Sequence, residues 1–359
     1  MHGDAEKDHG RRQQWLIRQS LEIAGRVTGW IDVALFKGDQ VEIKGWLLHP
    51  TLPIDSVEIA LGADVIARVP VHKLPNVAAH YATVSHAAYS GFSATAKVPD
   101  SDDLVRITAR GFCGTEPVGY YQSFALRGSD AGRLSPSSVL MKRVSGTEDP
   151  ASFAQMGLCA AGDLMQAADK HLGLDKVKSL LDFGCGSGRV GYFLQSIWPD
   201  VAYSGCDIDA EAVTWCNENV HDGAFKTMEM QPPLPYADAS FDVVVAVSVM
   251  THLTREEQHK WLAEVRRVLR PDGLFLPSIH GAFAAMFNPD LRSELEVSGI
   301  TDNTLDPALD GVLPPDYYRS TFQLPSFTRK EWARHFEVVD IMQAGCGGFQ
   351  DLVVLRKPR

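Results

Sequence analysis

Hydrophobic and polar positions alternate with a period of two through the first third of the chain. "DQVEIKGWLLHP" places Val41 and Ile43 on one side of an extended segment, with Trp46 beyond Gly45. "DSVEIALGADVIARVPV" predicts two short strands around the turn residues Gly62, Ala63 and Asp64. "GFSATAKVP", "DLVRITARGF" and "GYYQSFAL" continue the pattern. Short alternating strands punctuated by Gly, Pro and Asp predict an all-β sandwich domain over residues 25–127. Before it, residues 1–24 read as a polar tail with one short helix. After it, "GSDAGRLSPSSV", residues 128–139, reads as a Ser- and Gly-rich linker.

From residue 140 to 359 the period changes. "DPASFAQMGLCAAGDLMQAADKHLG", "GRVGYFLQSIW", "DAEAVTWCNENV" and "TREEQHKWLAEVRRVLR" carry helical spacing, the third capped by Asp209 and the last ended by Pro271 and Gly273. Between them "SLLDFG", "AYSGCDI", "FDVVVAVSV" and "GLFLPSI" are short apolar runs of strand length. Strand and helix alternate, which predicts an α/β fold with a mostly parallel sheet and helices on both faces.

Composition narrows the partners. The formal net charge is −11, which disfavours sequence-independent binding to nucleic acid. The longest apolar run, "VVVAVSVM", is too short to cross a bilayer. The N-terminus lacks the apolar core of a signal peptide. Six cysteines are scattered without CxxC or Cys/His metal spacing, so no metal is expected and a reduced, cytoplasmic compartment fits.

The stretch richest in chemistry is "SLLDFGCGSGRVGYFLQ". Gly184, Gly186 and Gly188 alternate between a buried strand and a helix, where a ligand can approach the backbone closely. A dinucleotide fingerprint would read GxGxxG, but here the spacing is GxGxG, with Asp182 two residues upstream. An acid at that place favours a ligand with a cationic or hydrogen-bond-donating part, such as an ammonium group.

"DFGCGSG" resembles motif I of class I S-adenosylmethionine-dependent methyltransferases. "GCDID", "LPYADASFDVVVAVSVMTHL", "WLAEVRRVLRPDGLFL" and "FEVVDIMQAGCGGFQDLVVLRKP" resemble later segments of that family in the same order. The resemblance runs from about Gly146 to the C-terminus. It implies a Rossmann-like, doubly wound, seven-stranded sheet whose last strand is antiparallel. It also implies S-adenosylmethionine as cofactor, with S-adenosylhomocysteine as product. The implied cofactor residues are Asp182, Gly184, Cys185, Gly186, Gly188, Asp207 and Ile208, with Ser248 at the end of the fourth strand. Asp207 is suited to accept both ribose hydroxyls. Many relatives read the adenine amine with an Asp four residues before "LP"; this chain has Met230 there, preceded by Glu229. Either Met230 packs on the adenine or Glu229 reaches its amine.

The chain lacks the Asn/Asp-Pro-Pro-Tyr tetrapeptide of many base-modifying amino methyltransferases and has "SVMTHL" after the fourth strand. O-methylation of a small-molecule or saccharide hydroxyl is the first expectation. C- or N-methylation of a small metabolite is the alternative. A glycan- or partner-binding protein on a vestigial cofactor fold is the reading from another class. His252 and His280 end the fourth and fifth strands and are candidate bases; Asp351, at the start of the final strand, is a third. Residues 282–327 read as an irregular insertion and a candidate substrate lid, with Tyr317, Tyr318 and Arg319 near its end. Gln350 is a further candidate for acceptor contact. The β-rich first part resembles accessory domains beside bacterial glycan-modifying transferases, on "GWIDVALFKGDQVEIKGWLLHP" and "LPNVAAHYATVSHAAYSGF". Trp30 and Trp46 are either sugar-stacking or core residues, and the domain is a candidate for glycan recognition or for forming a homodimer.

Overall fold

The computed structural model describes residues 25–359 except 38, 83, 98–103, 127–134, 221–222, 286, 307–308, 310–313 and 315–316. The expected N-terminal helix and most of the expected linker lie outside the described residues. Two compact units are distinguished by packing. The first takes the described residues before 130 together with Ala282–Ser293 and Gly347–Phe349; the second takes the rest.

In the first unit the strands are β1 (Gly25–Arg26), β2 (Thr28–Lys37), β3 (Gln40–Leu48), β4 (Ser56–Leu61), β5 (Asp64–Pro70), β6 (His72–Lys73), β7 (Tyr89–Lys97), β8 (Leu104–Cys113) and β9 (Glu116–Leu126). One sheet has the order β1-β9-β8-β4-β5 and the other β2-β3-β7-β6. All pairs are antiparallel except β1 with β9. The alternation predicted for β3 is present, with Val41 and Ile43 buried and Gln40 and Lys44 exposed. These residues share one apolar cluster with Val57 and Ile59 of β4 and Ile107 of β8, so both sheets contribute to one core. Trp30 packs against that cluster. The Trp46 ring lies 5.5 Å from Tyr81, and Tyr81 lies 4.8 Å from Phe287. Both tryptophans are thus engaged in packing. Gly348 has φ +69°, and a Cβ there would meet Tyr121 at 2.3 Å, so only glycine brings this turn so close to the ring.

The second unit opens with a helix, Ser138–Ser145, and a long one, Pro150–His171, capped by Asp149. Its strands begin with β10 (Ser179–Phe183), β11 (Ala202–Asp207), β12 (Gly223–Thr227), β13 (Phe241–Ala246) and β14 (Leu269–Ile279). Helices Gly191–Ile197, Ala210–Asn219 and Arg255–Val268 are the crossovers. The last buries Trp261, Leu262, Val265 and Val268 on one face. It ends at Val268, because Leu269 already pairs with Phe241; β14 therefore starts before the expected "GLFLPSI". The ribbon β15 (Ile300–Leu305) and β16 (Arg319–Gln323) follows, then β17 (Glu337–Cys346) and β18 (Gln350–Arg356).

Among the described residues the large sheet has the order β12-β11-β10-β13-β14-β18-β17. The first five strands are mutually parallel, and β18 is antiparallel to both its neighbours. The order reverses between β10 and β13, and the crevice at such a reversal is where open α/β sheets take ligands.

The stretch expected to be irregular, residues 282–327, contains short helices at Ala282–Ala285 and Arg292–Ser298 and the antiparallel pair β15–β16. Its first part, Ala282–Ser293, belongs to the first unit through Phe287. Turn residues dominate this segment's composition, but β15 finds its pairing partner close in sequence, and Leu295, Ile300 and Phe322 are buried. Among the described residues no helix is long and apolar enough to cross a membrane.

Candidate functional site

The chain leaves β10 through Gly184, Gly186 and Gly188, with φ of 78°, 52° and 75°. All three lie in the left-handed region that side chains disfavour. Space is also short. A Cβ on Gly184 would lie 2.3 Å from Val249 Cγ2, and one on Gly186 would lie 2.8 Å from Val144 Cγ2. The backbone conformation and two valines thus require glycine here, before any ligand is considered.

The loop is tied to the end of β11. The Gly184 and Cys185 N–H groups donate to the Cys206 carbonyl at 2.8 and 3.1 Å. Gly186 N–H donates to Asp207 Oδ2 at 2.7 Å, and Asp209 N–H donates to Oδ1 at 2.8 Å. Burial raises the Asp207 pKa, and the backbone N–H groups of Asp209, Gly186 and Ile208 oppose that shift. Asp207 and Ile208 remain partly exposed. The two oxygens offer about four lone-pair sites, more than these backbone donors use, so a further donor can be accepted. Asp209 caps its helix and pairs with Arg143 at 2.6 Å, beside Val144.

Two residues expected at the cofactor have buried side chains. The Cys185 thiol is buried against Gly205. Asp182 is 1% exposed and accepts the Tyr203 hydroxyl at 2.7 Å. Burial, with Asp207 nearby, pushes its carboxyl up to about 7. It supports the loop from beneath, where the sequence pointed to an acid facing a ligand. On the other side of Asp207, Glu229 is exposed and the Met230 carbonyl accepts the Tyr317 hydroxyl at 2.7 Å.

At the carboxyl ends of β13, β14 and the start of β18 a polar group assembles. Ser248, with φ 59°, donates its N–H to Ser278 Oγ at 2.7 Å. Gln350 accepts from Ser278 Oγ at 2.6 Å, donates to Ser248 Oγ at 2.9 Å, and approaches His280 Nε2 at 3.4 Å. His280 stacks on Phe322, and Gln323 N–H donates to its carbonyl, which anchors β16 beside the end of β14. Burial, reinforced by His252, pushes His280 down to about 4.

His252 lies in a short turn, Met250–His252, after β13. Its Nδ1 is 2.8 Å from the Arg319 carbonyl and 3.5 Å from Asp306 Oδ2. Both neighbours are acceptors, so Nδ1 carries the proton and Nε2 the lone pair. The ring stacks on Tyr318 at 4.0 Å and 11° and lies 6.3 Å from His280. Burial lowers the His252 pKa, with the Arg319 carbonyl and Asp306 opposing it, so the neutral base is favoured at neutral pH.

The ribbon thus delivers Asp306, Tyr318 and the Arg319 backbone to His252. The Arg319 guanidinium points elsewhere, donating to the Asn303 carbonyl at 3.3 Å. Asp351 is fully buried; its Oδ1 accepts the Ala344 N–H at 2.9 Å, and its carboxylate occupies the space a Cβ on Gly281 would need. Strand alternation sends Gln350 toward His280 and Asp351 to the opposite face. Asp306, Tyr203 and Ser278 had no sequence signal, since only pairing in space gives them partners. Among the described residues no three His, Cys, Asp or Glu side chains are grouped to hold a metal ion.

Comparison with known proteins places part of this unit. The methyltransferase-domain family model matches residues 180–273. A fatty-acid O-methyltransferase of Mycolicibacterium smegmatis is 33% identical over 101 residues, covering 28% of this chain and 36% of its own. A malonyl-[acyl-carrier protein] O-methyltransferase of Hahella chejuensis is 27% identical over 155 residues, covering 40% and 54%. The chain therefore spans less than two thirds of the length of these relatives. The structure of Burkholderia thailandensis 1,6-didemethyltoxoflavin-N1-methyltransferase aligns at a TM-score of 0.41 and 17% identity, over 70% of this chain and 96% of its own. Residues 180–273 match the model of a methyltransferase domain, and these similarities support a methyltransferase that uses S-adenosylmethionine.

Proposed function

We propose that the chain transfers the methyl group of S-adenosylmethionine to an oxygen of a small-molecule acceptor, a saccharide hydroxyl being one such oxygen. The observation that carries the reading is the placing of His252 Nδ1 2.8 Å from the Arg319 carbonyl and 3.5 Å from Asp306 Oδ2, which leaves Nε2 as the proton acceptor at the carboxyl end of the sheet. The curated relatives named above are O-methyltransferases by name, which favours oxygen over carbon or nitrogen as the acceptor atom.

The donor supplies a methyl group on a sulfonium, ready for in-line displacement. The residues present fit such a ligand: a left-handed glycine loop gives backbone access, and Asp207, partly exposed, keeps room for a further hydrogen-bond donor. Met230 and Glu229 flank the adenine side, where Tyr317 fixes the backbone. Ser248, Ser278, Gln350 and His280 are neutral hydrogen-bonding groups suited to hold an acceptor. With the donor bound, His252 Nε2 would take the hydroxyl proton as the oxygen bonds the methyl carbon and the carbon–sulfur bond breaks, leaving S-adenosylhomocysteine. The resulting imidazolium is stabilised at Nδ1 by the Arg319 carbonyl and Asp306.

Asp306 raises the His252 pKa by its charge. Asp306→Asn should therefore move the acidic limb of the rate profile to lower pH, because the imidazolium loses a favourable neighbour. The His252 ring titration by NMR should move the same way. An unshifted His252 titration in Asp306→Asn would separate the carboxylate from the base.

A further inference from the structure

Beyond the carboxyl ends of β13 and β14, Ser248, His252, His280, Tyr318 and Gln350 are all partly exposed. The His252 and His280 rings lie 6.3 Å apart and meet edge to face at 80°. His252 Nδ1 faces the Arg319 carbonyl and Asp306, so its Nε2 carries a lone pair. The state of His280 follows from Gln350. Ser278 Oγ accepts the Ser248 N–H and donates its own proton to Gln350 Oε1 at 2.6 Å. That fixes the amide, whose N–H groups turn to Ser248 Oγ at 2.9 Å and His280 Nε2 at 3.4 Å. His280 Nε2 is therefore an acceptor as well. Burial, with His252 beside it, keeps the His280 ring neutral at neutral pH.

Two neighbouring imidazoles thus present lone pairs, and such a pair selects a ligand by what it can donate. A hydroxyl brings a proton to each nitrogen. A carboxylate brings none, and sets its own lone pairs against theirs, beside the charge of Asp306. The Arg319 and Arg255 guanidinium groups are engaged elsewhere, with the Asn303 carbonyl and with Asp302. The Gln350 contact to His280 is long for a hydrogen bond, so a hydroxyl at about 2.8 Å displaces it, while the amide keeps Ser248. Two such bonds, joined through adjacent hydroxyl oxygens, bridge rings at this spacing.

We propose that the acceptor is a vicinal diol, with one hydroxyl reacting at His252 and its neighbour bound at His280. The inference rests on the O-methyl transfer reading and narrows its substrate to paired hydroxyls, as on a sugar ring.

The test is NMR titration of the full chain carrying isotope-labelled histidine and saturated with S-adenosylhomocysteine. The probes are cis-1,2-cyclohexanediol, cyclohexanol and cyclohexanecarboxylate at neutral pH. The diol should move the ring resonances of both His252 and His280, and bind about 2- to 10-fold tighter than cyclohexanol, the effect of one added hydrogen bond. The carboxylate should move neither ring. His280→Phe keeps an aromatic ring against Phe322 without the lone pair, and should bind the diol no tighter than cyclohexanol. A purely structural His280 would leave the preference for diol unchanged in the folded variant, and that result overturns the proposal. Three results overturn it without any variant: a diol that moves only one ring or neither, equal affinity of wild type for diol and cyclohexanol, or a carboxylate that binds more tightly than the diol. Failure of wild type to bind S-adenosylhomocysteine would instead sink the methyltransferase reading, and diol titration of the ligand-free chain would then decide between one ring and two.

Discussion

His252→Ala should lower kcat by at least about 100-fold while leaving the affinity for S-adenosylhomocysteine nearly unchanged. A general base typically contributes about 10²–10⁴-fold, and an aliphatic hydroxyl is a poor nucleophile while it keeps its proton. His252 is placed for this: Nδ1–H is held by the Arg319 carbonyl, and the ring is clamped by Tyr318. Its lowered pKa keeps it unprotonated at neutral pH, so activity should fall only as the medium becomes acidic enough to charge the ring. That acidic limb should vanish in His252→Ala. The proposed cofactor contacts, the glycine loop and Asp207, are held by hydrogen bonds that do not involve the imidazole, so binding should be spared. A drop of less than about threefold, far below what a base contributes, would make His252 structural and leave alignment of the reactants as the source of rate.

Gly186→Leu should abolish binding of S-adenosylmethionine and of its product. A non-glycine residue at φ 52° costs about 1–2 kcal/mol. The new Cβ would also lie 2.8 Å from Val144 Cγ2, so either the Ser138–Ser145 helix or the loop must move. If the loop moves, the Gly186 N–H leaves Asp207, and the two halves of the cofactor platform separate. Gly62→Leu is the control. It has the same handedness, φ 59°, with nothing near its Cβ, and should leave binding intact. Calorimetry on both variants, with melting curves to confirm folding, checks the expectation. Wild-type affinity in a folded Gly186→Leu would remove the loop from the cofactor site.

The parts of the molecule readable from sequence are those set by local rules. The β/α alternation, the glycine turn and the Asp209 cap each depend on residues a few positions apart. What escaped depends on pairing in space. Adjacent Gln350 and Asp351 must face opposite sides of β18, but only the register with β14 shows which one meets His280. Asp306 sits in a turn-rich stretch, and its meaning comes from β15–β16 folding back onto the end of β13. The strand position of Asp182 was plain in sequence, and its partner, Tyr203 on β11, was not. The first unit's borrowing of Ala282–Ser293 and Gly347–Phe349 left no break in composition to mark it.

In the proposed function the loop and Asp207 together hold the methyl donor. Calorimetric titration of S-adenosylhomocysteine into the full chain, wild type beside Asp207→Ala, tests it most directly. One equivalent should bind per wild-type chain. Asp207→Ala should weaken binding by about 1–3 kcal/mol, roughly 5- to 150-fold, through loss of charged hydrogen bonds. Absence of binding to the wild type, or equal affinity in a folded Asp207→Ala, would contradict the account.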